Sequence, residues 1–434
     1  MKFYSTNNRS VTVDLRQAVT EGLAPDNGLY MPVEIPPLPD NFFKDIAHKS
    51  FRDIGFEVAR NLLQGDLPDT ELKRIVDHTI QFDAPLVKLE KDVFALELFH
   101  GPTLAFKDFG ARFMSQLLGY FASQQDREII ILVATSGDTG SAVANGFLGV
   151  PGTRVVVLYP SGKVSEIQEK QFTTLQQNVT ALEVAGTFDD CQRLVKEAFL
   201  DAELRRRFFL TSANSINIAR LIPQSFYYFN AYAQLKDKDR PVVFSVPSGN
   251  FGNITGGLLA KRMGLPVRRF VAATNINDIV PAYLKTGAFN PRPSASTISN
   301  AMDVGNPSNF SRMLELFNGS YERLSDEIKG YSFTDEETAD AMRNVYASSN
   351  YILDPHGAVG YLGLKKYLND SDENATGIFL ETAHPSKFKE VVDETLGMGI
   401  DIHPTLKAFM KRKKETIKAT MDFSAFKKFL LDTF

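Results

Sequence analysis

Short apolar runs recur through this chain in two series, each run followed by a stretch with helical spacing. After Pro85, the alternations Leu86 to Leu89 and Val93 to Phe99 predict two strands leading into HGPTLAFKDFG. Four further runs, Ile129 to Val133, Val155 to Leu158, Leu182 to Val184 and Phe208 to Leu210, each precede a helical stretch. That alternation predicts βαβ units and a parallel sheet. A second series, Val242 to Val246, Phe270 to Ala273 and Gly377 to Leu380, predicts a second α/β sheet and a cleft between the two. Residues 1 to about 80 read as helices and loops punctuated at Pro25, Gly28 and Pro36 with Pro37. The segment from Lys285 to about Phe310, rich in Pro, Ser and Asn, reads as a long loop of a kind that compact domains keep for function.

Composition narrows the class. At 434 residues, with 43% apolar and 23% charged residues, the chain has material for two or three ordinary cores. No run approaches the roughly 18 apolar residues of a membrane span, and MKFYSTNNRS lacks the apolar centre of a signal peptide, so a cytoplasmic protein with no membrane partner is expected. The single cysteine, Cys191, excludes disulfide and thiolate-cluster chemistry. A net charge of -4 argues against nucleic acid as a partner. The one basic run, Lys411 to Lys414, reads as the solvated face of a helical tail. Six dispersed histidines show no metal-ligand spacing, so no metal is expected, and no obligate protein partner is evident.

Candidate chemistry collects at strand-to-helix junctions, where ligands of open α/β sheets bind. In ILVATSGDTGSAVA, Thr135, Ser136, Gly137, Asp138 and Thr139 bring hydroxyls and N–H groups to a helix N-terminus, which suits a carboxylate. The same residues would also serve an ordinary capped helix. In VVFSVPSGNFGNITGG, Gly249 and Gly252 flank Asn250 and Phe251, with Asn253 next, and such a loop makes a phosphate nest or a plain turn. It matches neither a P-loop nor the dinucleotide fingerprint. In GIFLETAHPSKF, Thr382 follows a strand and either bonds a ligand or caps the next helix. Lys107 sits among Leu104, Phe106 and Phe109, an apolar setting that lowers an amine pKa, as a Schiff-base lysine requires. Its neighbour Asp108 leaves open a surface ion pair.

The ordered set FHGPTLAFKDFG, TSGDTGSAVA, PSGNFGN and ETAHPSKF resembles the threonine synthase family of pyridoxal-phosphate (PLP) enzymes, which shares the tryptophan synthase β-subunit fold. AVTEGLAPDNGLYMPVEIP, SANSINIARLIPQ and SNAMDVGNPSNF extend the likeness over most of the chain, up to a tail after about His403 with no recognisable motif. The resemblance implies fold type II: a mainly helical N-terminal layer over residues 1–80, a large PLP-binding α/β domain from 81–110 and 225–434, and a small α/β domain from 111–224. It implies that Lys107 carries PLP as a Schiff base, that Gly249 to Asn253 hold the cofactor phosphate, and that Thr382 meets the pyridine nitrogen. Asp138, where relatives in the wider family often have asparagine, would lie near the cofactor's 3-oxygen. Thr135, Ser136, Gly137 and Thr139 would face the substrate carboxylate, and Ser215, Asn217 and Arg220 are candidates for the substrate phosphate, although Arg220 also reads as a helix-surface residue.

The implied reaction converts O-phospho-L-homoserine and water to L-threonine and phosphate by γ-elimination and β-addition, with Lys107 moving the protons. Two other outcomes are open: a PLP phospholyase that releases 2-oxobutyrate, and a non-catalytic binding protein on the same scaffold.

Overall fold

The computed structural model describes residues 1–124, 127–371 and 373–434. Two compact units emerge, one comprising Met1, residues 31–106 and 221–402, the other residues 2–30, 107–220 and 403–434. This partition differs from the division read from the sequence. The N-terminal layer splits near Tyr30, with the early strands Phe3–Ser5 and Asn8–Val13 in the second unit, and the tail joins that unit instead of the large domain.

In the first unit, six strands run in the order Ile328–Ser332, Arg269–Thr274, Val242–Pro247, Thr376–Glu381, Val93–Glu97 and Leu86–Glu90. Every neighbouring pair is parallel except the last, an antiparallel hairpin. Each residue of VVFSVP and TGIFLE is buried, as a central parallel strand covered on both faces requires. One core cluster joins Val243, Val271 and Phe379 to Ala358 and Leu364 of the helix Pro355–Asp370. Asp354 caps that helix, accepting from the N–H groups of His356 and Gly357, and Pro355 occupies the position where a missing N–H costs nothing.

The second unit holds a five-stranded parallel sheet ordered Ile417–Ala419, Val179–Val184, Thr153–Pro160, Ile129–Ala134 and Phe209–Ser212. Ile130, Leu132, Val156, Leu158 and Leu182 pack with Cys191 and Leu194 of the helix Phe188–Leu200, which a Thr187–Asp190 capping box starts. The basic run lies beyond the helix expected to carry it, with Lys411, Arg412 and Lys413 exposed as that reading expects. The helix Pro404–Met410 stops before it, and Lys414 reaches Glu169 at 2.6 Å and Glu183 at 3.0 Å.

Strand order reverses direction in both sheets. In the first unit successive strands proceed outward from Val242–Pro247, and Thr376–Glu381 then inserts on its other side; in the second, Phe209–Ser212 does the same beside Ile129–Ala134. Loops leaving such a switch point part to opposite faces and open a crevice at the carboxyl ends of the strands. The four loops issuing there are Ser248–Phe251, Thr382–His384, Thr135–Gly137 and Ala213–Asn217.

Candidate active site

In the second unit, Thr135 shapes the turn after Ile129–Ala134. Its hydroxyl accepts the N–H groups of Gly137 at 2.9 Å and Gly140 at 2.8 Å, so the carboxylate-binding role expected of this side chain gives way to a structural one. Gly137 has φ 145°, and a Cβ there would lie 2.6 Å from Gln168 Oε1, so the turn requires glycine. Ser136 is exposed and Thr139 half-buried at the start of the helix Asp138–Phe147. Asp138 is buried; one carboxylate oxygen accepts from Gln168 Nε2 at 2.9 Å and the other lies 3.6 Å from Lys107 Nζ.

Lys107 opens the helix Lys107–Ala122 with its side chain 17% exposed. Asp108 is not its surface partner. The next helical position points about 100° away, and Asp108 is fully buried, with its charge acting on Arg112 and Arg220. Burial pulls the Arg220 guanidinium down to about 10 and Asp108 opposes this. Arg220 is therefore no helix-surface residue: it donates to the Ala213 carbonyl, and a Cβ at Gly110 would lie 2.7 Å from its Nε. Asn217 is fully buried and bound to main chain, donating to Val19 O at 2.8 Å and Ser212 O at 3.3 Å and accepting from Ala219 N–H at 3.0 Å. These bonds occupy both amide hydrogens. Ser215 is half-buried.

In the first unit, Val242–Pro247 runs into the Gly249–Asn253 segment and the helix Gly252–Arg262. The unusual backbone angle belongs to Phe251, with φ 60°, and not to Gly252, which is the first helical residue. Phe251 is the N-cap and brings no capping side chain, while Asn253 Oδ1 accepts the Ile254 N–H at 3.0 Å. The two asparagines tie the loop down. Asn250 Oδ1 accepts from Ser308 N–H at 2.6 Å and its hydroxyl at 2.9 Å, and Asn253 Nδ2 donates to Pro247 O at 2.7 Å. Gly249 presses against the turn Asn300–Met302: a Cβ would lie 2.7 Å from Met302 Cα and 3.0 Å from Ala301 O.

Thr382 is buried, its carbonyl accepting the Phe106 N–H at 2.9 Å. The turn Pro385–Phe388 is capped by His384, which accepts from Ser386 N–H at 3.1 Å. Thr382 is thus not the cap. Its strand and that of the Gly249 loop are parallel neighbours, with Ser245 opposite Phe379.

A family profile described as pyridoxal-phosphate dependent enzyme matches residues 79–380, and two others, threonine synthase N terminus and C-terminal, match residues 2–80 and 357–430. Threonine synthase of Haemophilus influenzae is 46% identical over 99% of this chain and 100% of its own length. The chain belongs to the threonine synthase family. The Escherichia coli threonine synthase is 43% identical over the whole of both chains. Its crystal structure superposes on this threonine synthase family member with a TM-score of 0.91, and that of the PLP-bound enzyme from Brucella melitensis, 34% identical, with 0.93, covering 99% and 98% of the two chains. The tail that carried no recognisable motif lies within the C-terminal profile.

Sequence reasoning passed over Gln168, which no local signal marks, and a buried group formed by Glu381, Asp354 and His356. For the last two the sequence did hold a cue: Asp-Pro-His is a capped helix start with proline at its first position.

Proposed function

We propose that this chain converts O-phospho-L-homoserine and water to L-threonine and phosphate with pyridoxal 5'-phosphate as cofactor. The observation that carries the reading is the setting of Lys107: a largely shielded amine, 3.6 Å from a buried carboxylate that opens the neighbouring switch-point helix. The donor set fits the cofactor. Lys107 offers the primary amine, the Gly249–Asn253 segment offers a helix start whose N-cap residue brings no side chain to it and whose loop a side chain at Gly249 would displace, and Thr382 offers a buried hydroxyl beside a neighbouring strand end. Lys107 would carry the cofactor, residues 249–253 its phosphate, Thr382 its ring nitrogen, and Asp138 its 3-oxygen. Assigning all of them to one cofactor rests on the order of the motifs along the chain.

PLP, when bound, supplies the electron sink for negative charge at the substrate α-carbon. Lys107 takes the proton from Cα, gives it up, and as the free amine takes a second from Cβ; the γ-phosphate leaves, the Lys107 ammonium protonates Cγ, water adds its hydroxyl at Cβ and its proton to the phosphate, and the first proton returns to Cα. Asp138 stabilises the ammonium form of Lys107 between transfers, and Gln168 holds Asp138 in place. Ser136, Gly137 and Thr139 face the substrate carboxylate from a helix N-terminus. Ser215 is the candidate for the substrate phosphate, while Asn217 and Arg220 hold the segment around it. The cytoplasm is the compartment we assign, the only cysteine being buried. Among the described residues no helix is long and apolar enough to cross a membrane.

Borohydride reduction of the PLP-loaded protein, followed by peptide mapping, tests the assignment. The adduct is expected on Lys107, and an adduct on another lysine overturns it.

A further inference from the structure

The first unit buries a group of ionisable side chains that the reaction above does not use. Glu381 ends its strand with no exposure, directly opposite Glu97 on the parallel neighbour. Among the described residues neither of its carboxyl oxygens has a hydrogen-bond donor, and a Cβ at Gly357 would lie 2.1 Å from one of them. Burial first, then the adjacent Asp354 carboxylate and Glu97, push its pKa well above the usual carboxylate range. Glu381 is therefore held toward its neutral form. Asp354, also fully buried, is a carboxylate: burial opposes this, but His356 and the helix-start N–H groups hold it below the ordinary range.

Asp354 Oδ1 lies 2.6 Å from His356 Nδ1, and His356 Nε2 lies 3.1 Å from the Ala301 N–H. Only one tautomer satisfies both contacts, with the hydrogen on Nδ1 and the lone pair on Nε2. Glu97, opposite Glu381, accepts from the Tyr351 hydroxyl at 2.8 Å and lies 2.7 Å from His100 Nε2. Phe388 packs on the His356 ring, and Asp303 is a further charged group whose field reaches it. The Ala301 carbonyl and Met302 Cα are the atoms that press on Gly249.

We propose that the Asp354–His356 pair positions the phosphate loop: Asp354 fixes the His356 tautomer, His356 anchors Ala301 through its N–H, and Ala301 with Met302 seats Gly249. His356 is a positioning residue, and the role rests on reading residues 249–253 as the PLP phosphate site.

The test uses the holoenzyme, with PLP affinity from equilibrium dialysis and the 31P resonance of bound PLP. Asparagine at position 356 keeps a donor where Nδ1 lies but loses the acceptor; glutamine puts an acceptor near Nε2. His356→Asn is expected to weaken PLP binding about tenfold, the effect of one lost hydrogen bond, and to move the 31P signal, and His356→Gln to recover most of both. Wild-type affinity and 31P shift in His356→Asn overturn the proposal, as does equal weakening in both variants with an unmoved 31P signal, which marks plain packing. Should His356→Asn fail to fold, 15N spectra of the wild-type holoenzyme decide: hydrogen on Nδ1 of His356 is expected, and hydrogen on Nε2 overturns the proposal. Failure of the underlying reading is separate, since wild-type protein would then bind no PLP at all.

Discussion

Replacing Gly249 by alanine adds one methyl group where the structure has no room for it. The new Cβ would lie 2.7 Å from Met302 Cα and 3.0 Å from Ala301 O, both main-chain atoms that cannot swing aside as a side chain does. Either the Ser248–Phe251 loop or the Asn300–Met302 turn must retreat, and overpacking of this kind costs about 1–3 kcal/mol. Borne by the phosphate-binding conformation, at about 1.4 kcal/mol per factor of ten, that is a loss of PLP affinity of about 5- to 150-fold. Equilibrium dialysis measures the affinity and a thermal melt checks the fold. Gly252→Ala provides a stability control, because Gly252 opens a helix and alanine suits a helical position better by about 1 kcal/mol; its apoprotein should melt no earlier than wild type. A folded Gly249→Ala protein with wild-type PLP affinity would refute the placement of the cofactor phosphate at this loop.

Gln168→Ala removes the 2.9 Å bond that holds Asp138, and is expected to lower kcat about tenfold with little change in the melting temperature; an unchanged kcat removes Gln168 from the account. Thr382→Asp should retain PLP while shifting its visible spectrum, since a carboxylate at the ring nitrogen favours the protonated ring; a wild-type spectrum in the loaded variant argues against that contact. Glu183 predicts a pH dependence. Burial raises its pKa, but Lys418, Ser161 and Lys414 outweigh this and hold it at about 2 instead of the ordinary 4.5. A depressed carboxylate contributes stability that is full above the unfolded value and fades as pH falls from about 4.5 towards 2. Denaturant melts across that window should show the loss, and Lys414→Met should flatten it; parallel pH profiles for both proteins would contradict the assignment.

The fold was legible wherever an element is buried on both faces. IIILVA and VVFSVP announce central parallel strands because every residue is apolar or small, and these strands fix where the switch-point loops emerge. Ile328–Ser332 and Ile417–Ala419 escaped notice because edge strands expose much of their length, and IKGYS and IKA carry no continuous apolar run. Lys414 looked like part of a solvated face because a sequence does not show that Glu169 and Glu183 wait in another part of the unit. Asp108 beside Lys107 looked like an ion pair because adjacency in sequence hides the turn of a helix. The motifs mark the loops that issue at the switch points, but only coordinates separate residues such as Asn217 and Thr135, whose polar atoms bond the main chain, from Ser136, which stays exposed.

Incubating the purified, PLP-loaded protein with O-phospho-L-homoserine and separating the products by chromatography tests the central claim most directly. The account predicts L-threonine and inorganic phosphate in equal amounts, with neither formed by Lys107→Ala. Release of phosphate with 2-oxobutyrate in place of threonine, or threonine from the Lys107→Ala protein, would contradict it.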